Sequence, residues 1–464
     1  MFKITNKILT FINSISLLLL SYNLFVLDRI QPEGYTINMY EQLPFHFVLI
    51  LLLCFLSSCI IFLAYRKMSS LIILFLVHIT VLIIPYMLGC ISVARSGEFS
   101  YMGFVGKDSL FSLSNSSPTG PLFVSPLALV SGLEPWALSY FLPIFFSIMF
   151  ITGMFLFYRV FMDREKLVIV TFLSSLIPYF GHFQMSTFPY YLCFCLVPLY
   201  LFVLTNTFTS KNRAMIMCLL FMVPLVPLAH PFIFIYLICF SLSFVISDTI
   251  LKPGFLRKIA SLNFLSLGSF YSAGRKVPVF ILLFFSSGGF FHSSKYVSNL
   301  VESFISTLSL RTETLMAVDI FRTLEIDGSI IKFLYFFNLY YGKYYIPFIF
   351  ILINSIIVWQ NRKRFCQHFV HRYPRFLILY ISTFFLELVF LLNPFISYPF
   401  DMFANMSFII FAQIPLLGYS LYIIFLRKRY ILGLVSAVLV ICILWTLRFF
   451  TCFSSLYTSV SIPK

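Results

Sequence analysis

Long apolar runs, broken by short polar clusters, follow one another along almost the whole chain. A helix that crosses a bilayer needs about 20 mostly apolar residues. Thirteen runs meet or approach that length, at residues 8–27, 45–65, 71–92, 137–158, 167–180, 190–207, 214–229, 231–249, 277–291, 340–359, 376–393, 402–425 and 431–450. Those at 167–180, 214–229 and 277–291 are short, and fit tilted or partial crossings as well as full ones. No sequence repeat at a fixed period is present. The pattern predicts an all-α fold: a polytopic transmembrane helical bundle of about 13 spans.

The polar clusters give the bundle a direction. Lys3 and Lys7 precede the first run, which puts the N-terminus inside. Alternation then places Arg66–Lys67, Arg159–Lys166, Lys211–Arg213, Lys252–Lys276, Arg362–Arg375 and Arg427–Arg429 on the inner side. With Lys3 and Lys7 these clusters hold 22 of the 32 Lys and Arg, and one missed or extra helix would put every later cluster on the wrong side. The asymmetry predicts a multi-pass protein of the cell membrane, with its N-terminus cytoplasmic and its C-terminus extracytoplasmic. No small-residue cleavage site occurs around Ser21–Phe25, so the first run is expected to remain as a signal anchor. Twelve of the 16 acids fall outside. Acids contribute little to orientation, so this bias points either to solvated outer loops or to carboxylate chemistry on that face.

Three outer segments are long: 28–44, 93–136 and 292–339. Within the second, Pro121–Val130 is apolar, too short to span and bracketed by Pro and Gly, as in an interfacial or re-entrant helix. Within the third, Val297, Leu300, Val301, Phe304, Ile305 and Leu308 recur on one helical face. A helix over 294–309, lying flat on the outer surface or capping a cavity, is expected there. The chain divides into two N-terminal spans (1–70), a core with its outer segment 93–136 (71–250), and C-terminal spans with the outer segment 292–339 (251–464).

Composition removes the competing classes. Of 464 residues, 60% are apolar and 10% charged. A soluble domain carries about 25% charged residues, so a soluble globule of this size would lack the polar side chains to cover it. Disorder and coiled coil fail on the same numbers. The net charge of +16 sits in short clusters between apolar runs, which is the pattern of inner loops and not of a nucleic-acid surface. Ten cysteines include no CxxC pair and lie mostly in apolar stretches, where they act as small hydrophobes. No metal-ligand spacing is present.

No P-loop, GxGxxG, HExxH or GxSxG motif occurs. The most informative stretch follows the third run: Arg95-Ser-Gly-Glu98-Phe-Ser-Tyr101-Met-Gly-Phe, then Lys107-Asp108. An acid stands just beyond the outer end of a helix, with an aromatic three residues on. The Pro-rich apolar piece, a Gly-Leu-Glu-Pro turn and the next run come after it. That run ends in the basic turn Leu156–Arg164. This order resembles the GT-C superfamily of integral-membrane glycosyltransferases. It is similar above all to the uncharacterised polytopic proteins of archaeal surface-polysaccharide clusters. The resemblance covers roughly residues 70–250. It implies a polyprenyl-phosphate-linked sugar as donor and a glycan, lipid or protein acceptor on the extracytoplasmic face; the cofactor is left open between none and a divalent cation. The chain departs from the pattern in having two spans before the core, a lone Glu98 where many relatives have an acidic pair, and Tyr101 where the archaeal group often has His.

Sugar transfer from a lipid phosphate needs a carboxylate to orient or deprotonate the acceptor hydroxyl. It also needs cations for the leaving phosphate. Glu98 is the candidate base, with Asp108 as support. The bland alternative for both is a solvated loop acid. Arg95, Lys107, Arg322, Lys332, Lys343 and Arg448 stand near outer helix ends as phosphate partners. Lys343, among Tyr340, Tyr341, Tyr344 and Tyr345, fits a snorkelling lysine in an aromatic belt as well. Tyr101, His182, Gln184 and His230 are candidate sugar contacts. Glu387, on the order of 9 Å below the outer boundary at 1.5 Å per residue, is an intramembrane acid and so a functional candidate. His78, in mid-span, fits helix packing better than function.

Two other functions share these features. A polysaccharide polymerase or ligase uses the same lipid-linked substrate, but arginines should then dominate the outer site. A transporter or flippase of lipid-linked oligosaccharide favours inverted repeats and mid-membrane polar sites.

Overall fold

The computed structural model of the chain describes residues 6–31, 39–65, 68–88, 127–133, 135–176, 189–210, 376–384 and 409–426, with Tyr373 and isolated positions between 352 and 362. Among the described residues the protein is all helical. The helices are α1 (Asn6–Arg29), α2 (Phe45–Tyr65), α3 (Met68–Met87), α4 (Pro135–Arg159), α5 (Arg164–Leu176), α6 (Pro189–Ser210), α7 (376–384) and α8 (Ile409–Leu426). By length and composition, Lys7–Arg29 and Phe45–Phe62 can each cross a membrane, and Ser69–Ile84 and Ile144–Arg159 are shorter apolar segments.

Local signals set the helix ends. Residues 127–131 form a helical turn that stops at Gly132, whose φ of 67° is the left-handed conformation glycine adopts without a Cβ penalty. Its amide donates to the Ala128 carbonyl at 2.9 Å. Pro135 then opens α4 at the first helical position, where its missing N–H costs no hydrogen bond. The expected interfacial piece at 121–130 is seen only in this last turn, where Leu129 and Val130 are exposed. At the other end of α4 a tight turn runs through residues 160–163, and α5 begins directly after Asp163.

Several buried hydroxyls donate within their own helices, which satisfies them in an apolar interior. Ser58 donates to the Cys54 carbonyl at 2.7 Å, Thr80 to Leu76 at 2.8 Å, Thr171 to Leu167 at 2.8 Å and Ser174 to Val170 at 2.7 Å. Other polar groups join helices. Asn13 donates to the Ser69 hydroxyl at 2.8 Å, and Asn23 to the Phe47 carbonyl at 3.0 Å. Ser16 lies 3.4 Å from Ser57. These contacts make α1 antiparallel to α2, and their early positions in both helices make it parallel to α3.

The directions continue through the rest of the described bundle. Tyr86, at the end of α3, meets Phe141 near the start of α4, with ring centroids 5.7 Å apart. Gly153 on α4 lies against Pro198 and Leu199 of α6. Gly418 on α8 lies against Val170 of α5, while Tyr422 further along α8 reaches Glu165 near the start of α5. Helix α8 therefore runs antiparallel to α5 and parallel to α4. The helix ends that adjoin Arg66–Lys67, the turn at 160–163 and the end of α8 before Arg427 share one end of the bundle.

The core between these helices is aromatic, with Phe47, Phe55, Phe62, Phe146, Phe150, Phe157, Tyr158 and Tyr200 fully buried. The opposite surface of α1 is also apolar. Ile8, Phe11, Ile15, Leu18, Tyr22 and Phe25 are all exposed and recur at spacings of three and four, so they form one stripe along the helix.

Candidate functional site

At the shared end, the turn between α4 and α5 gathers a polar cluster inside an aromatic shell. Asp163 precedes the first residue of α5, so its carbonyl accepts from the amides of Lys166 and Leu167 at 3.1 and 3.0 Å. This geometry turns the Lys166 side chain inward. Its ammonium donates to Asp163 Oδ2 at 3.0 Å and to Tyr373 Oη at 3.4 Å. It also lies 5.7, 5.5 and 5.3 Å from the ring centres of Tyr373, Tyr419 and Tyr422, within cation–π range. The Lys166 side chain is 7% exposed and that of Asp163 56%.

Burial works against the Lys166 charge. The Asp163 carboxylate and the Tyr373 hydroxyl outweigh it and hold the group above the ordinary lysine value. The amine stays protonated at neutral pH and has no free lone pair, so it cannot serve as a base or a nucleophile. It can bind helices together. The neighbouring contacts act in the same sense. Tyr158 Oη donates to the Phe411 carbonyl on α8 at 2.6 Å, and Tyr422 Oη to Glu165 Oε2 at 3.1 Å. Phe376 on α7 packs against Phe157 and Phe161, with centroids 5.9 and 5.0 Å apart.

In the sequence Lys166 belongs to a cluster of inner-loop charges. The structure places it inside α5 and buries it, because the turn closes three residues earlier and the three tyrosines come from distant chain. Only the Asp-Arg-Glu-Lys start of α5 hints at the helix boundary. No local signal brings in Tyr373, Tyr419 or Tyr422.

The outer-face candidates Arg95, Glu98, Tyr101, Lys107, Asp108, His182, Gln184, His230, Lys343 and Glu387 lie outside the described residues, as do Arg322, Lys332, Arg448 and the expected helix at 294–309. Helices α3 and α4 are described, and the segment that carries Glu98 and Asp108 joins them. His78 is described. It is fully buried on α3, with its ring edge-on to Phe55 of α2 at 5.8 Å. Cys54, Cys59 and Cys195 are buried thiols that form no disulfide. Among the described residues no group of three or more His, Cys, Asp or Glu is arranged to hold a metal ion. Comparison with models of protein families, with curated proteins and with solved structures finds no match.

Proposed function

We propose that this protein is a membrane glycosyltransferase of GT-C type, with about 13 spans. It moves a sugar from a polyprenyl-phosphate donor to a glycan, lipid or protein acceptor on the extracytoplasmic face. The observation that carries the reading is the antiparallel pairing of α3 and α4. Tyr86 against Phe141 holds the end of one beside the start of the other. The acid-bearing segment between them therefore springs from two neighbouring helices, at the end opposite the Lys and Arg clusters. A reaction at a lipid headgroup needs its carboxylate there. The exposed apolar stripe on α1 supports the membrane setting, because water would not tolerate it and acyl chains would.

In this reading Glu98 orients or deprotonates the acceptor hydroxyl. Asp108 supports it, and nearby cations such as Arg95 and Lys107 meet the phosphate. The test is Glu98→Gln in membranes supplied with a polyprenyl-phosphate sugar. A general base contributes roughly 10²–10⁴-fold, so transfer should fall by about that factor while expression and insertion stay normal. Transfer at the wild-type rate would reject Glu98 as the base, and absence of transfer by the wild type would favour the transporter alternative.

A further inference from the structure

We infer that the end of the bundle carrying the Asp163–Lys166 turn is a permanent closure, and that nothing this protein handles enters or leaves between α4, α5, α7 and α8 there. The inference rests on the membrane reading above for one thing: naming this end as the inner one.

Three kinds of contact converge on the closure. The caged ammonium ties α5 to Tyr373 and α8, and separation of these elements would leave a buried charge without its partners. Tyr158 fixes the backbone of α8 to α4 across the core. Phe376 wedges α7 against the α4–α5 turn. Behind them, α5 and α8 meet with the Val170 side chain seated on Gly418: an ideal Cβ on Gly418 would collide with Val170 Cγ2 and lie 3.6 Å from Val170 Cβ. At this point the two described helices are in direct contact. A protein that moves cargo by alternating access must open this end once per cycle, rocking one set of helices against another. The arrangement here resists that motion, so substrates reach the protein from the outer end or sideways from the lipid.

The 3.6 Å separation also supplies the experiment, since disulfides form at Cβ–Cβ distances of about 3.5–4.5 Å. The double variant Val170→Cys/Gly418→Cys is oxidised in native membranes, with each single variant as control. Transfer from a polyprenyl-phosphate sugar is compared before and after reduction. Separately, Ser174→Cys on α5, a near-isosteric change at a fully buried site, is exposed to an impermeant thiol reagent in inside-out vesicles. The exposed Arg164→Cys serves as positive control. The expected results are an unchanged rate on cross-linking, and no labelling at Ser174→Cys with or without the lipid-linked sugar. Loss of the rate on oxidation that reductant restores, or labelling of Ser174→Cys, overturns the closure. If the wild type transfers no sugar, the proposed function fails, and the Ser174→Cys probe still decides the closure. The same probe decides it if the double variant does not fold.

Discussion

Replacing Gly153 by alanine tests how closely α4 and α6 are packed. An ideal Cβ at this position would lie 3.0 Å from Pro198 Cβ, 3.1 Å from Leu199 Cγ and 3.1 Å from the Leu199 backbone nitrogen. Comfortable carbon contacts sit at roughly 3.5–4.0 Å, so the new methyl is about half an ångström or more too close on three sides. The leucine tip can swing aside. The proline ring and the backbone nitrogen cannot, so the helices must part. Overpacking of this kind costs ~1–3 kcal/mol, against at most ~1 kcal/mol gained from the higher helix propensity of alanine. A net loss of about 1 kcal/mol follows, which lowers the thermal midpoint of a chain this long by only ~1 °C. Cys195 on α6, three residues before Pro198, is a buried thiol, so its labelling by a thiol-reactive dye, read by mass spectrometry through a temperature ramp in detergent, follows the melt. Leu199→Ala in the same chain should recover only part of the loss, because Pro198 Cβ and the backbone nitrogen remain. A Gly153→Ala protein that melts at or above the wild-type midpoint would refute the close approach.

The contrasting glycine is Gly132, where an added Cβ meets nothing within 4 Å but φ is +67°. Gly132→Ala should therefore cost about 1 kcal/mol through the backbone alone, and Gly132→Asn, which tolerates that conformation, should cost less in the same melt. At the cage, Asp163→Asn keeps the helix cap and removes the acceptor charge. The loss should be about 1 kcal/mol, below the ~1.5–3 of a hydrogen bond to a charged group because solvent screens the half-exposed carboxylate. Lys166→Met should cost less than Asp163→Asn, since it keeps the packing of the stem and removes the buried cation together with its need for a counter-charge; the opposite order would show that the bonds of the ammonium hold more than a packed methionine does. The folded-state value of Lys166 is raised, so its stabilising contribution is complete below the ordinary lysine value of about 10.4 and is lost only as pH climbs through the higher folded value. Amine acetylation at mildly alkaline pH, read by mass spectrometry, should therefore spare Lys166 while exposed lysines react.

The helices were legible wherever one continuous apolar run carried them. The run at 45–65 is α2, and the runs at 8–27, 137–158 and 190–207 lie inside α1, α4 and α6. Asp28, Pro44, Pro135 and Arg159 flank these runs and stand at or next to helix ends. The start of α5 was harder to see, because Arg164, Glu165 and Lys166 resemble a loop in composition while Asp163 caps them as a helix. The cage was illegible for a different reason. Its hydrogen bonds join residues 207 and 257 positions apart, and no periodicity links residues at that separation. The polar seam of Asn13, Ser16, Ser57 and Ser69 was missed because each residue alone is an ordinary small polar group in an apolar run. Only the pairing of the helices makes it a seam.

The separation between Lys166 and Tyr373 has a consequence for the order of events during synthesis. Ribosomes add about 5–20 residues per second, so the 207 residues between them take on the order of 10–40 seconds to emerge. Throughout that interval, in the membrane reading, Lys166 has no tyrosine around it. It is a hydrated cation beside Arg159 and Arg164, and it helps hold the newborn hairpin of α4 and α5 on the cytoplasmic side. Once the late helices arrive, the same ammonium is dehydrated and locked among their rings. One side chain thus acts first as an insertion signal and later as a fastener. A Lys166→Met chain would have to rely on its arginine neighbours for the first task before the second arose.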